Sequence, residues 1–149
     1  MGHFMRESWI WTYSLVNLTH ILGIALLFGA IAVLDLRLLG AWRSVPLAVM
    51  SRPLVTVAGF GVLLAASTGI LLLATKAHDY FGNNFLALKF VFIALALANI
   101  FVMHRSRAWR AHTARLLSSA EQRSLATKGA ASLLFWLGAI ACGRLIAFW

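Results

Sequence analysis

Asn17-Leu18-Thr19-His20-Ile21-Leu22-Gly23-Ile24-Ala25-Leu26-Leu27-Phe28-Gly29 is the stretch whose reading decides the fold class. It lies inside an uncharged run, 12–34, and a helix of about 20 predominantly apolar residues is long enough to cross a bilayer. An imidazole, His20, sits in the first half of that run. An ionisable side chain at membrane depth is costly, which makes His20 a candidate for function by default. Two later apolar runs carry one charge each, Lys89 and Arg144.

The whole chain repeats the character of this stretch. It has 149 residues, 62% of them hydrophobic and 11% charged, and a mean hydropathy of +0.87. Soluble domains are about 45–50% apolar and about 25% charged. Four runs, 12–34, 54–75, 85–103 and 129–149, carry at most one charge each. The reading is a single-domain, all-α integral membrane four-helix bundle. The net charge of +9 would suggest nucleic acid as a partner of a soluble protein. Here the basic residues flank the apolar runs, where membrane orientation and anionic lipid account for them, and nucleic acid is set aside. The single cysteine, Cys142, excludes an intramolecular disulfide and a multi-cysteine metal site. No small-residue cleavage site follows the first run, so it reads as a retained span. There is no phosphate-binding glycine loop, no Ser–His–Asp order and no pair of carboxylates suited to acid–base work.

Taken in order, the first run is preceded by Trp9, Trp11 and Tyr13, which suit a membrane–water interface. It closes at Asp35-Leu36-Arg37-Leu38-Leu39-Gly40, where charge returns and glycine can end a helix. Residues 45–51 are expected to form a short interfacial helix with Pro46 in its first turn. The second run holds Gly59, Gly61, Ser67, Thr68 and Gly69, and small residues allow close helix approach in lipid. A short polar connector with Lys76, His78, Asp79, Gly82, Asn83 and Asn84 precedes the third run. The longest polar segment, 104–128, precedes the fourth and has Ser119 before Glu121-Gln122 as a local cap.

Nine basic residues, Arg37, Arg43, Arg52, Arg105, Arg107, Arg110, Arg115, Arg123 and Lys128, fall on one side of the four spans. The opposite side has only Arg6 and Lys76 outside the apolar runs. The positive-inside rule then makes the nine-residue side cytoplasmic and places both termini on the outer, periplasmic face. With a rise of about 1.5 Å per residue, His20 lies roughly 12 Å, Thr68 roughly 10 Å, and Lys89 and Arg144 roughly 7 Å from the outer ends of their spans. Each of the four spans thus offers one polar group to an outer-half layer.

That layer is electropositive, and an electropositive pocket in lipid calls for an anionic guest, water or lipid headgroups. Lys89 and Arg144 suit carboxylates, and His20 is a ready iron ligand. Haem has both an iron and two propionates. The plainer reading is that Lys89 and Arg144 snorkel to the headgroups and that His20 bonds to a neighbour such as Thr68 or Asn17. His78, in the outer connector, is the candidate second metal ligand beside His20, against a solvated loop histidine.

The run His20-Ile21-Leu22-Gly23, then Phe28-Gly29, then Asp35-Leu36-Arg37-Leu38-Leu39-Gly40 resembles small four-span bacterial membrane proteins. More distantly, the layout resembles the J-type protoporphyrinogen oxidase and copper-resistance D domain families. The positions similar to the oxidase pattern are His20, Gly29, Arg37, Thr68-Gly69 and Lys89. The oxidase's aromatic motif after the histidine and its proline before the arginine are absent, and Asp35 stands near Arg37 instead. The resemblance implies a haem b in the outer half with His20 as an axial ligand and Lys89 essential nearby. The expectation is a haem-binding protein of the bacterial inner membrane, surrounded by lipid and acting in electron transfer or a membrane redox reaction, with a redox partner or a second copy beside it. The alternatives are a cofactor-free accessory subunit or scaffold of a larger complex, and a small metal or ion transporter.

Overall fold

A computed structural model of the chain describes residues 2–75 and 82–148, with side chains for 11–75, 82–146 and 148. Lys76, His78 and Asp79 lie outside the described residues. Five helices, α1 (Gly2–Leu39), α2 (Leu47–Thr75), α3 (Asn84–Arg105), α4 (Arg107–Ala111) and α5 (Ser119–Leu145), are followed by a 3-10 turn, Ile146–Phe148. No strand occurs among the described residues. Four of the helices, all but the short α4, are long and apolar enough to cross a membrane, so the protein is a multi-pass membrane protein.

The helices outrun the apolar spans because hydropathy reports lipid thickness, whereas caps and backbone conformation end a helix. The 38 residues of α1 rise about 57 Å, against a hydrocarbon core of about 30 Å. It stops where expected, at Gly40, whose φ of 114° suits the residue that has no Cβ. There Gly40 N–H donates to Arg37 O and Ala41 N–H to Leu36 O, the two bonds of a Schellman ending.

Two local expectations are corrected. The separate interfacial helix at 45–51 does not exist: Leu47 begins α2, which runs unbroken through Pro53. Pro46 stands just outside, its carbonyl accepting from Val49 N–H and Met50 N–H. The cap of α5 is Ser118, one residue before the serine anticipated. Its hydroxyl accepts from Glu121 N–H while the Glu121 carboxylate accepts from Ser118 N–H, a complete capping box. Asn83 caps α3 by accepting from Phe85 N–H and Leu86 N–H.

Packing follows small residues. A Cβ at Gly61 would lie 2.4 Å from Leu27 N, and one at Gly23 would lie 2.6 Å from Ala65 N, so α1 and α2 touch backbone to backbone. Helix α5 packs on both α1 and α3, whereas α2 and α3 scarcely meet, leaving that seam of the bundle open. Two apolar clusters fill the interior. Leu27, Ile31, Ala96 and Trp136 form the middle. Leu34, Met103, Ala108, Trp109 and Leu125 close the arginine-rich end. The second cluster shows why the long polar segment is not all solvated: α4 folds inward and buries Ala108 and Trp109. His112 pins it there, Nδ1–H donating to the Trp109 carbonyl and Nε2 accepting from the Ser51 hydroxyl at 2.8 Å.

Candidate functional site

His20 and Thr68 are brought together. His20 reaches from α1 to α2, its Nδ1 3.1 Å from Thr68 Oγ1. A hydroxyl has one proton, and Thr68 commits it to the Leu64 carbonyl at 2.6 Å. Thr68 Oγ1 therefore accepts from His20 Nδ1–H, the Ala65 backbone also bonds to the ring, and in the neutral Nδ1–H tautomer Nε2 carries the lone pair. Hydrogen bonding at one ring nitrogen is what orients a histidine that ligates through the other. Gly69 makes the fit, since a Cβ there would approach His20 Cε1 to 3.0 Å.

Lys89 of α3 lies within electrostatic reach of His20, and its side chain runs over α5, where a Cβ at Gly143 would sit 3.5 Å from Nζ. Cys142, buried on the same helix, also lies within electrostatic reach of Lys89. The fourth group stands apart. Arg144 is exposed, and its guanidinium covers the Phe148 ring at 4.6 Å from the centroid. The reason is rotation: Cys142 faces inward, and two further residues turn Arg144 away by about 200° on a 3.6-residue helix. Three spans thus share the layer through polar side chains, and the fourth contributes Cys142 and Gly143. Of the other positions of the oxidase-like pattern, Gly29 has open space where a Cβ would stand, and Arg37 Nε donates to the Val45 carbonyl at 2.9 Å. Both serve elsewhere than this layer.

A second polar feature lies deeper toward the arginine-rich end, where Asp35 was expected to meet a neighbouring span or a headgroup and Asn99 to bridge helices; their partners were not foreseen. Asp35 is 1% exposed, with one carboxylate oxygen, Oδ2, unpartnered. Ser132 of α5 is also buried and reaches its side chain. Trp136 Nε1, one turn further along α5, is likewise buried without a partner. Asn99 ties α3 to α5 by donating to the Lys128 carbonyl at 2.9 Å. The signal for Asp35 was present, an acid next to a span, but a serine in an apolar run does not announce itself as its partner.

What the layer can do chemically is limited by its donors. It offers one imidazole nitrogen with a free lone pair, an ammonium nearby, and a thiol behind it. Among the described residues no group of three or more His, Cys, Asp or Glu side chains could hold a metal ion. Compared with family models, with curated proteins and with solved structures, the chain matches none of them.

Proposed function

We propose that the protein binds a b-type haem within the membrane and serves electron transfer or a membrane redox reaction. The observation that carries this reading is His20, held at Nδ1 by Thr68, with the charge of Lys89 within electrostatic reach. A porphyrin brings four nitrogens of its own, so one imidazole suffices to seat it. The donor set fits: His20 would be an axial ligand and Lys89 would meet a propionate. Arg144, exposed on the far side of α5, is assigned to the interface. Bound haem would supply one-electron chemistry at its iron. The chain's own part is to orient the imidazole through Thr68, answer the carboxylate charge with Lys89, and keep water away with apolar helices.

The proposal extends to place and orientation. The resemblance to bacterial four-span proteins and the positive-inside rule support the cytoplasmic membrane of a bacterium, with the arginine-rich end inside and both chain ends outside. A second reading rests on the open α2–α3 seam. There a helix of a larger complex would complete the bundle, and the His20–Thr68 bond would be only a tie between helices.

The deciding measurement is an absorption spectrum of protein purified in mild detergent from haem-replete cells. A Soret band with sharp α and β bands on reduction is expected. It should vanish in His20→Ala while helical circular dichroism is retained. A colourless wild-type preparation sinks the haem reading and leaves the scaffold.

A further inference from the structure

At the opposite end of the molecule the connector between α1 and α2 and the loop between α4 and α5 border a half-open cavity of about 630 Å³. Its polar wall contains Arg37, Arg43, Arg115 and Arg123. The one ion pair among the described residues is made here. Arg115 forks onto Glu121, Nη2 donating to Oε1 at 2.6 Å and Nη1 to Oε2 at 2.9 Å. Through that hydrogen bond Glu121 raises the Arg115 guanidinium above its ordinary value. Among the described residues, three guanidinium charges in the wall are left with no carboxylate partner.

Two of the remaining arginines, Arg37 and Arg43, are held rather than loose. Arg37 is anchored through Nε to the Val45 carbonyl, which leaves its terminal nitrogens to the cavity. Arg43 lies on Gly40, where a Cβ would meet Nη2 at 2.8 Å. Glycine at 40 therefore serves the positive φ and the seat of this side chain together. Ser44 and Gln122 add neutral hydrogen-bonding groups. Behind this polar wall the lining turns apolar at Leu38, Leu47 and Leu125. Leu39, also in the lining, is exposed at the end of the spanning helix. Seventeen residues of α1 separate Arg37 from His20, about 26 Å along the axis, so this cavity is independent of the haem reading.

We infer that this cavity binds a phosphate-bearing anion at the membrane surface. Guanidinium forks match phosphate oxygens in geometry and charge, and several held in one concave wall repel one another until an anion arrives. The shared chemistry is a phosphate group, from a lipid headgroup or from a soluble phosphate. Apolar lining continuous with the spanning helices favours a headgroup whose chains run down beside Leu39, and basic pockets at helix ends take anionic lipids in this way.

The test is native mass spectrometry of the delipidated full chain. It would be titrated with phosphatidylglycerol, with phosphatidylcholine of the same acyl chains, and with inorganic phosphate. Wild type should prefer phosphatidylglycerol at least about tenfold, one decade of affinity. The double variant Arg43→Gln/Arg123→Gln, both exposed and outside the core, should remove most of that preference. Arg105→Gln is the control, because Arg105 stacks on Phe101 at 4.2 Å, away from the cavity, and the preference should survive it. Displacement of the lipid by millimolar phosphate would identify a soluble source; lipid binding indifferent to phosphate would identify the headgroup. No preference in wild type, no loss in the double variant, or an equal loss in Arg105→Gln would overturn the inference.

Discussion

Asp35 shows how much a single buried carboxyl can decide. It sits between α1 and α5 with Ser132 facing it and with Oδ2 unpartnered. An unsatisfied buried polar group costs about 1–3 kcal/mol. Asp35→Ala, which strands Ser132, should therefore destabilise the protein by about 1–3 kcal/mol, read as a lower thermal midpoint in detergent. Asp35→Asn keeps the shape and a hydrogen-bonding group and should stay close to wild type. If the asparagine variant falls as far as the alanine variant, charge rather than hydrogen bonding is what Asp35 contributes. At this scale the sequence was legible where a polar residue interrupts apolar neighbours. His20, Thr68 and Lys89 were found that way. Arg144 was equally conspicuous, yet its direction depends on helical phase, and α5 is apolar on too many sides for composition to reveal the phase. Gly143 was invisible as a site residue and Gly69 was singled out only through the resemblance, because what they contribute is the space that His20 and Lys89 occupy.

Pairs of helices respond to smaller features than single-residue chemistry suggests. Gly59 and Gly61 look alike in the sequence, but a Cβ at 59 meets nothing within 4 Å while one at 61 would strike Leu27 N at 2.4 Å. Gly61→Leu should therefore force α1 and α2 apart, at about the 1–3 kcal/mol typical of overpacking or more, since backbone cannot yield as a side chain does. Gly59→Leu should be tolerated. Thermal melts of the two variants in one detergent check this, and equal losses would refute the crossing. Element number and type were plain from hydropathy, since only helices satisfy the backbone within a lipid-facing span. Element ends were less plain. Gly40 was readable as a stop, whereas α2 continues through Pro53, although an interior proline loses an i→i−4 bond and crowds the i−4 carbonyl. The underside of α4 was hidden because Trp109 lies among three arginines, Arg105, Arg107 and Arg110, that suggest solvent.

The molecule as a whole is a chain of three seams, α2 on α1, α1 on α5 and α5 on α3, with the fourth left open. Hydropathy counts spans without saying which of them touch, so the open seam could not have been read from the sequence. Orientation is the whole-molecule property that the basic residues address. A reporter fused after Trp149 should be active only where the periplasm supports it, and activity in the cytoplasm would invert the proposed topology. The order of seams also has a consequence in time. Chains are made from the N-terminus at about 5–20 residues per second, so α1 and α2 can close on each other while α5 is still unmade. Asp35 waits through that interval without Ser132, which arrives only with α5. Burial of this carboxyl is thus a late event in biogenesis, and a chain truncated before α5 would carry an uncovered acid that marks it as unfinished.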